Sequence, residues 1–259
     1  MIAAIIQARM GASRLPGKVL MKVLGKPLLS YQADRIKAAK VFDKVIVATT
    51  VIPEDDIIQD WCANNEVLCF RGSSEDVLDR YYKTALFYDM QPHDSIARLT
   101  ADCPLIDPRV IRDGVNTYKQ NTCDYLSNTN PPTYPDGFDI EVFSFAALTK
   151  AWHLAVLPSE REHVTPYIRN HPEIFSLAGF QNDVDLSYLR LTIDEIEDFM
   201  LIERIIAALY PDKPRFDLLD ILELLKNNPD WLNLNQQYQR NEGYIKSLAI
   251  DKEAGMQND

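Results

Sequence analysis

Short apolar runs alternate along the chain with longer segments in which apolar side chains recur at helical spacing. The apolar runs predict strands at residues 2–7, 44–49, 67–70, 95–100, 125–127, 139–143 and 189–193. The segments between them predict helices at residues 27–39, 53–63, 75–88, 108–118, 145–154, 160–170 and 195–209. Because strands and helices alternate, we expect an α/β fold with a doubly wound, mostly parallel sheet that is covered by helices.

The pattern changes after residue 209, where Pro211 and Pro214 interrupt the chain. Leucines and an isoleucine within residues 218–225 predict a compact apolar helix, and a polar tail ends the sequence. We therefore expect a main domain at residues 1–210 and a helical C-terminal extension with a polar tail at residues 211–259. The extension either packs on its own domain or contacts a second copy of the chain, so a homodimer stays an open alternative.

A basic loop follows the first predicted strand and carries the cations Arg9, Arg14 and Lys18. Its glycines, Gly11 and Gly17, let backbone N–H groups turn toward an anion, and the fixed side-chain charges add to that attraction. The loop therefore predicts a phosphate site that suits a triphosphate. A basic surface turn between a strand and a helix is the alternative.

The spacing within this loop excludes the commonest phosphate-binding motif. A Walker loop has four residues between its glycines and a Ser or Thr after its lysine. Here five residues separate Gly11 from Gly17, and Val19 follows Lys18. The sequence also contains no G-x-G-x-x-G, so it lacks the dinucleotide-binding fingerprint as well.

Seven sequence blocks follow one another along roughly the first 210 residues, at positions 4–18, 71–73, 76–81, 100–105, 134–141, 160–166 and 189–194. Together they resemble the cytidylyltransferases that activate acidic sugars, within which the branch typified by spore coat polysaccharide biosynthesis protein F is the best match. The resemblance implies a nucleotide-diphospho-sugar transferase (GT-A-like) core. It also implies Mg2+-dependent transfer of CMP from CTP to a sugar acid, with release of pyrophosphate, in surface polysaccharide biosynthesis.

Asp102 and Asp194 each follow a predicted strand, where ligands of open α/β sheets gather. Two carboxylates from separate strand ends suit Mg2+, which completes its shell with phosphate and water. The resemblance implies that both are metal ligands. The alternative for each is a turn or a helix cap.

The resemblance also assigns catalytic roles to Arg9, Lys18 and Asp102. Arg9 and Lys18 would hold the β- and γ-phosphates, with Arg14 as a third cation in reach and Gly11 in the same loop. The protein would align an in-line attack by a sugar hydroxyl and neutralise the developing charge.

Arg71, Gly72 and Ser73 lie between a predicted strand and a predicted helix. The resemblance implies that they read the pyrimidine base and that Arg80 belongs to the same pocket. The alternative for the serine is an ordinary helix cap. The alternative for Arg80 is a surface ion pair with Asp76, one helical turn away.

We expect the sugar acceptor to contact two groups of residues, one acidic and one basic. Asp136 lies in an Asp-Gly turn, and Asp139 and Glu141 share one face of a short strand, where they would accept sugar hydroxyls or contact a metal. Arg161 and His163 could grip an acceptor carboxylate. The alternative for Asp139 and Glu141 is a solvated edge strand. The alternative for Arg161 and His163 is a charged start of a helix.

The composition of the chain limits the classes of molecule that the protein is expected to bind. The 259 residues carry a net charge of −11, which argues against a general nucleic-acid surface. No apolar run approaches the roughly 18 residues of a membrane span, and the N-terminal run lacks the basic start of a signal peptide. Four cysteines without C-x-x-C spacing are expected to be reduced thiols. We therefore expect a cytoplasmic enzyme whose partners are CTP and a small sugar acid, with neither nucleic acid nor membrane.

A glycosyltransferase that uses a nucleotide-sugar for polysaccharide assembly is the main alternative function, because it shares this core. Such enzymes usually present a D-x-D metal motif, whereas Thr100-Ala101-Asp102 lacks the first aspartate. A non-catalytic nucleotide-binding subunit is the second alternative. It would require loss of a metal carboxylate or a loop cation, and the sequence keeps all of them.

Overall fold

The computed structural model describes residues 1–253 and 255. Its strands are β1 (Ile2–Gln7), β2 (Lys22–Val23), β3 (Lys26–Pro27), β4 (Lys44–Thr50), β5 (Leu68–Gly72), β6 (Ser95–Thr100), β7 (Tyr125–Ser127), β8 (Glu141–Ser144) and β9 (Leu177–Gly179). Its helices are α1 (Leu28–Ala39), α2 (Asp56–Asn64), α3 (Val77–Phe87), α4 (Pro108–Gln120), α5 (Phe145–Leu154), α6 (Pro158–His163), α7 (Pro166–Asn170), α8 (Ile196–Leu209), α9 (Leu218–Asn227) and α10 (Glu242–Glu253).

Seven of the strands form one sheet in the order β5-β4-β1-β6-β8-β7-β9. All neighbouring pairs in this sheet are parallel except those of β8, which runs antiparallel to β6 and β7. The reversed direction of β8 brings its first residue, Glu141, to the edge where β1 and β6 end. β2 and β3 form a separate short hairpin.

Apolar side chains pack on both faces of the sheet. Along β1, Ala4 and Ile6 belong to one core and Ala3 and Ile5 to the other, because successive strand residues point to opposite faces. Helices α1, α4, α8 and α9 bury their apolar residues in the first core, and α3, α5 and α7 in the second. The fold is therefore doubly wound with a mostly parallel sheet, as the sequence predicts.

Several predicted elements differ from the structure. The strand predicted at 139–143 begins at Glu141, so Asp139 precedes β8 and does not share a strand face with Glu141. Residues 189–193 form no strand and make a single bridge between Arg190 and Asp136, with Leu191 N donating to the Asp136 carbonyl at 2.8 Å. The predicted helix at 160–170 is two helices, α6 and α7. Val164 between them has a positive φ of 73°, and Pro166 cannot donate the backbone hydrogen bond that a continuous helix needs.

The C-terminal extension packs against the main domain throughout its described part. Leu218, Ile221 and Leu225 of α9 are buried in the first core, and the Phe216 carbonyl accepts a hydrogen bond from Arg35 of α1 at 3.0 Å. Residues 254 and 256–259 of the predicted polar tail lie outside the described residues. Within the described part, every helix is too short or too polar to span a bilayer.

Candidate active site

A cavity of about 740 Å³ opens where β1 and β6 end, at Gln7 and Thr100. This edge of the sheet is the usual ligand position in open α/β folds. Ten of the residues that the sequence singles out line the cavity: Arg9, Arg14, Lys18, Arg80, Asp102, Asp136, Asp139, Glu141, His163 and Asp194. The structure thus brings together side chains from distant parts of the chain.

The basic loop is held in place by one buried carboxylate. Asp55, which has no solvent exposure, accepts hydrogen bonds from Met10 N at 2.6 Å and from both the backbone and the hydroxyl of Thr50, at the end of β4. Gly17 has a φ of 74° and donates its N–H to the Met10 carbonyl at 2.8 Å. The loop is therefore a fixed turn, and Asp55 is a structural residue that the sequence pattern did not reveal.

Lys18 is the most buried cation of the loop, with 8% of its surface exposed. Its Nζ lies 2.8 Å from Asp194 Oδ1, 3.2 Å from Asp102 Oδ2 and 2.5 Å from the Ile193 carbonyl. Burial acts to lower the pKa of the ammonium, but the charges of Asp102 and Asp194 outweigh burial and raise the pKa above its usual value. Lys18 therefore stays charged and joins two carboxylates at the cavity wall.

The two arginines of the loop also contact carboxylates. Arg14 lies 2.8 Å from Asp194, 3.3 Å from Glu195 and 3.1 Å from Glu242. Arg9 is more exposed and lies 3.3 Å from Glu162. All three loop cations are therefore paired with carboxylates.

Asp102 and Asp194 are held at the cavity wall by different means. Burial acts to raise the pKa of Asp102, but the charge of Lys18 and hydrogen bonds from Thr100 and Cys103 lower it below its usual value. Asp194 precedes α8, and its N–H donates to Asp198 Oδ2 at 2.9 Å.

A buried ion pair between Arg190 and Asp198 lies next to Asp194 and holds it in position. Arg190 donates to both carboxylate oxygens of Asp198 at 2.8 Å, and its Nη2 lies 3.3 Å from Asp194 Oδ2. Asp198 has no exposed surface, and Arg190 is 8% exposed. This bidentate pair fixes the chain direction at the start of α8.

Asp136 and Asp139 line another wall of the cavity. Burial raises the pKa of Asp136 to about 6 and that of Asp139 to about 7, although Arg240 and, for Asp136, Arg190 act in the opposite direction. Asp139 forms an ion pair with Arg240, which also donates to the Tyr134 carbonyl at 3.0 Å. Near neutral pH these two carboxyl groups can therefore exchange protons.

Glu141 is more deeply buried, and its hydrogen bonds come from three sides. It pairs with Arg98 across β6 and β8, and it accepts from the hydroxyls of Tyr125 and Thr165 at 2.5 Å each. Burial acts to raise its pKa, but the charges of Arg98 and Arg169 lower it below its usual value. Glu141 is therefore an ionised, fully bonded carboxylate rather than a solvated edge residue.

His163 lines the same end of the cavity and shares a 2.9 Å hydrogen bond with the Ser247 hydroxyl. Burial, with further contributions from the charges of Arg98 and Arg169, lowers its pKa to about 4. At neutral pH the imidazole is uncharged. It can offer a hydrogen bond to an acceptor but no positive charge.

A family model described as "Cytidylyltransferase" matches residues 3–246, which include every residue of the cavity wall. The chain belongs to the cytidylyltransferase family. It is therefore a CTP-dependent nucleotidyltransferase, and its fold agrees with that of the family.

Individual relatives agree with this membership. The spore coat polysaccharide biosynthesis protein SpsF of Bacillus subtilis is 34% identical over 88% of this chain and 95% of its own length. The 3-deoxy-manno-octulosonate cytidylyltransferase of Brucella ovis is 34% identical over 42% of each chain. The structure of a cytidylyltransferase from Leptospira borgpetersenii superposes with a TM-score of 0.85 at 35% identity, over 92% of this chain and 99% of that one.

The donor set of this cytidylyltransferase fits a magnesium ion. Asp102 and Asp194 both lie within 3.2 Å of the Lys18 ammonium, so one cation already contacts both carboxylates. The described residues contain no cluster of three or more His, Cys, Asp or Glu side chains, but Mg2+ commonly uses one or two carboxylates beside phosphate and water. The cavity wall carries seven acidic and seven basic side chains, so a triphosphate needs additional positive charge there.

Three predicted base-reading residues, Arg71, Gly72 and Ser73, lie behind the cavity wall rather than on it. Arg71 donates to the Thr50 and Ile52 carbonyls at 2.8 Å each, and the Ser73 carbonyl accepts from Arg80 at 2.6 Å. Gly72 packs against Arg80, because a Cβ on Gly72 would lie 3.0 Å from Arg80 Cγ. Of this group, only Arg80 lines the cavity.

Gly11 and Arg161 also lie off the cavity wall. Arg161 forms an ion pair with Asp76, the N-cap of α3, and donates to the Trp152 carbonyl at 2.8 Å. Its guanidinium is thus used to join α6 to α3 and α5, and the structure does not bring it to an acceptor.

Several residues of the cavity wall were missed by sequence reasoning. Arg98 and Arg169 lie within a strand and a short helix, where a charged residue gives no distinctive signal. Five more residues come from the C-terminal extension: Asn241, Glu242, Gly243, Tyr244 and Lys246. The sequence indicated that the extension packs on its own domain or contacts a second copy, and only the tertiary fold shows that part of it lines the cavity.

Proposed function

We propose that this cytidylyltransferase transfers the cytidylyl group of CTP to a hydroxyl of a sugar acid, with Mg2+ as cofactor and pyrophosphate as the leaving group. A 3-deoxy-2-keto acid used in surface polysaccharide biosynthesis is the proposed class of acceptor. The names of the Bacillus and Brucella relatives support this choice, since one refers to polysaccharide biosynthesis and the other to a keto sugar acid.

One observation carries the proposal: a single cavity is lined by the three loop cations, by Asp102 and Asp194, and by further arginines that include Arg169. Arg9, Arg14 and Lys18 suit the triphosphate, because arginine forks and a lysine charge bind phosphate oxygens. Arg98 is paired with Glu141, so Arg169 is the arginine that supplies positive charge for an acceptor carboxylate. Because separate cations are available for the nucleotide and for the acceptor, the cavity suits an anionic acceptor beside an anionic nucleotide.

In this mechanism the protein binds and orients, and it needs no covalent intermediate. The loop cations hold the β- and γ-phosphates while the acceptor hydroxyl is aligned with the α-phosphorus. Asp102 and Asp194 would hold Mg2+, which supplies charge that neutralises phosphate oxygens. Asp136 and Asp139 accept hydrogen bonds from acceptor hydroxyls, and their raised pKa values suit proton exchange near neutrality.

For the acceptor carboxylate we propose Arg169 ahead of Arg161. Arg169 lines the cavity and stacks 4.5 Å over the Tyr244 ring, whereas Arg161 is occupied by Asp76. For the base, the loop of Arg71, Gly72 and Ser73 stays a prediction, and it would act through the buried Arg80 that it supports.

The nucleotide half of this proposal is tested by thermal shift with CTP, UTP, ATP, GTP and UDP-sugars, each with and without MgCl2. We expect CTP with Mg2+ to give the largest increase in melting temperature, because ligand bound only to the folded state stabilises it. Stabilisation by UDP-sugars but not by CTP would instead favour a glycosyltransferase.

A further inference from the structure

The N-terminus of α10 lies directly on the basic loop. Glu242 Oε2 is 3.1 Å from Arg14 Nη1, and its other oxygen accepts the Gln239 N–H at 3.0 Å. The Arg14 and Glu242 side chains are each about a quarter exposed, at 26% and 25%. A carboxylate of the C-terminal extension thus contacts a cation that suits the triphosphate.

The segment that carries Glu242 is attached to the site on both sides. The Gln239 carbonyl accepts from Arg190 at 3.2 Å, and Arg240 pairs with Asp139. Further along α10, the buried Asp251 accepts the Ser159 N–H of α6 at 3.1 Å. The position of Glu242 therefore follows from a docked helix.

Lys246 lies one helical turn after Glu242 and lines the same cavity. Across the described part of the chain, no carboxylate lies within ion-pair distance of its ammonium. A glutamate four residues before a lysine is the favourable order for a helical ion pair. Glu242 thus has a second cation within reach on its own helix.

We propose that Glu242, one of three carboxylates paired with Arg14, competes with the triphosphate for this arginine, and that Lys246 receives the displaced carboxylate. The inference rests on the proposed function in one respect, that Arg14 faces the phosphates of CTP. Because partly exposed ion pairs are weak, phosphate can replace Glu242 at little cost. Glu242 is thus a positioning residue that competes with the nucleotide for Arg14. Lys246 is the cation that pairs with the Glu242 carboxylate after it leaves Arg14.

The test is isothermal titration of the full-length enzyme with CTP and with CMP, both in the presence of Mg2+. Glu242→Gln should lower the Kd for CTP about two- to fivefold, as expected for loss of one competing ion pair. Its Kd for CMP should not change, since CMP lacks the β- and γ-phosphates. Glu253→Gln is the matched control, because it removes the same charge from an exposed position on the same helix.

A double-mutant cycle separates the exchange from a general charge effect. Lys246→Gln should weaken CTP binding in the wild-type background and have no effect in the Glu242→Gln background. Unchanged or weaker CTP binding by Glu242→Gln, or an equal gain by Glu253→Gln, would overturn the inference. So would a Lys246→Gln effect that persists without Glu242. Failure of the wild-type enzyme to bind CTP would instead contradict the proposed function.

Discussion

Among single residues, Asp102 has the simplest expected effect. Its carboxylate contacts Lys18 and contributes little to the core, so Asp102→Asn should fold normally. We expect turnover to fall by about a hundredfold or more, because a contact that stabilises transition-state charge is lost. Pyrophosphate release measures turnover, and circular dichroism checks the fold. Near-wild-type release by this variant would show that Asp102 is structural.

Arg169, the proposed partner of the acceptor carboxylate, gives a prediction for which Arg161 is a matched control. Arg169→Gln should raise the KM for the sugar acid about tenfold or more and leave the KM for CTP unchanged, as expected for loss of a charge-assisted contact. Arg161→Gln makes the same chemical change outside the cavity, where the side chain pairs with Asp76. Steady-state kinetics of both variants decide between the two arginines, and an acceptor effect confined to Arg161→Gln would reverse our assignment.

His163 should titrate far from the usual range. Its folded-state pKa of about 4 lies below the unfolded value of about 6.5, so the unfolded chain binds more protons between these values. Its contribution to stability is present above pH 6.5 and is lost as the pH falls toward 4. We expect the melting temperature of His163→Asn to depend less on pH in this window than that of the wild type. An NMR titration that gives His163 a pKa near 6.5 would contradict the buried, neutral imidazole.

At the scale of single residues, the sequence identified side chains whose types and spacing are distinctive. The loop cations, Asp102 and Asp194 were found in this way, and all of them line the cavity. Arg98 and Arg169 were missed because their role depends on the elements that pack around them. Arg161 illustrates the reverse case, in which a suitable side chain is occupied by Asp76 from a distant segment.

Among the elements, the turn that ends in Asp139 depends on one glycine. Gly137 has a φ of 99°, and a Cβ there would lie 2.5 Å from the Leu191 carbonyl oxygen. Gly137→Ala should therefore destabilise the protein by about 1–3 kcal/mol and disturb Asp136 and Asp139, since strain and a backbone clash coincide. Thermal melting measures the loss. Gly243→Ala is the control, because an added Cβ in α10 meets no neighbour within 4 Å and should be neutral or stabilising.

The same turn explains where element prediction failed. The apolar alternation at residues 189–193 is real, since Leu189, Leu191 and Ile193 are buried, but the segment makes one bridge to Asp136 instead of joining the sheet. Strands β1, β6 and β7 were predicted with their observed bounds, because each is a short and mostly apolar or β-branched run. Short elements such as β9 depend on pairing with β7 and have no comparable local signal.

For the whole molecule, alternation of strands and helices was sufficient to predict the doubly wound sheet. The same pattern could not show that the C-terminal extension lines the candidate site, because polar residues such as Arg240 and Glu242 look like a solvated surface. Their partners, Asp139 and Arg14, lie more than a hundred residues away in sequence. The family match to residue 246 agrees with a functional unit that continues past residue 210.

Product analysis tests the central proposal most directly. The enzyme would be incubated with CTP, Mg2+ and a panel of 3-deoxy-2-keto acids, with neutral and phosphorylated sugars as matched acceptors and Asp102→Asn as the inactive control. We predict that mass spectrometry detects a CMP-sugar acid, formed with one equivalent of pyrophosphate, only in the wild-type reactions that contain an acidic acceptor. A CMP product formed from a neutral or phosphorylated sugar, with none from any sugar acid, would contradict the proposed acceptor class.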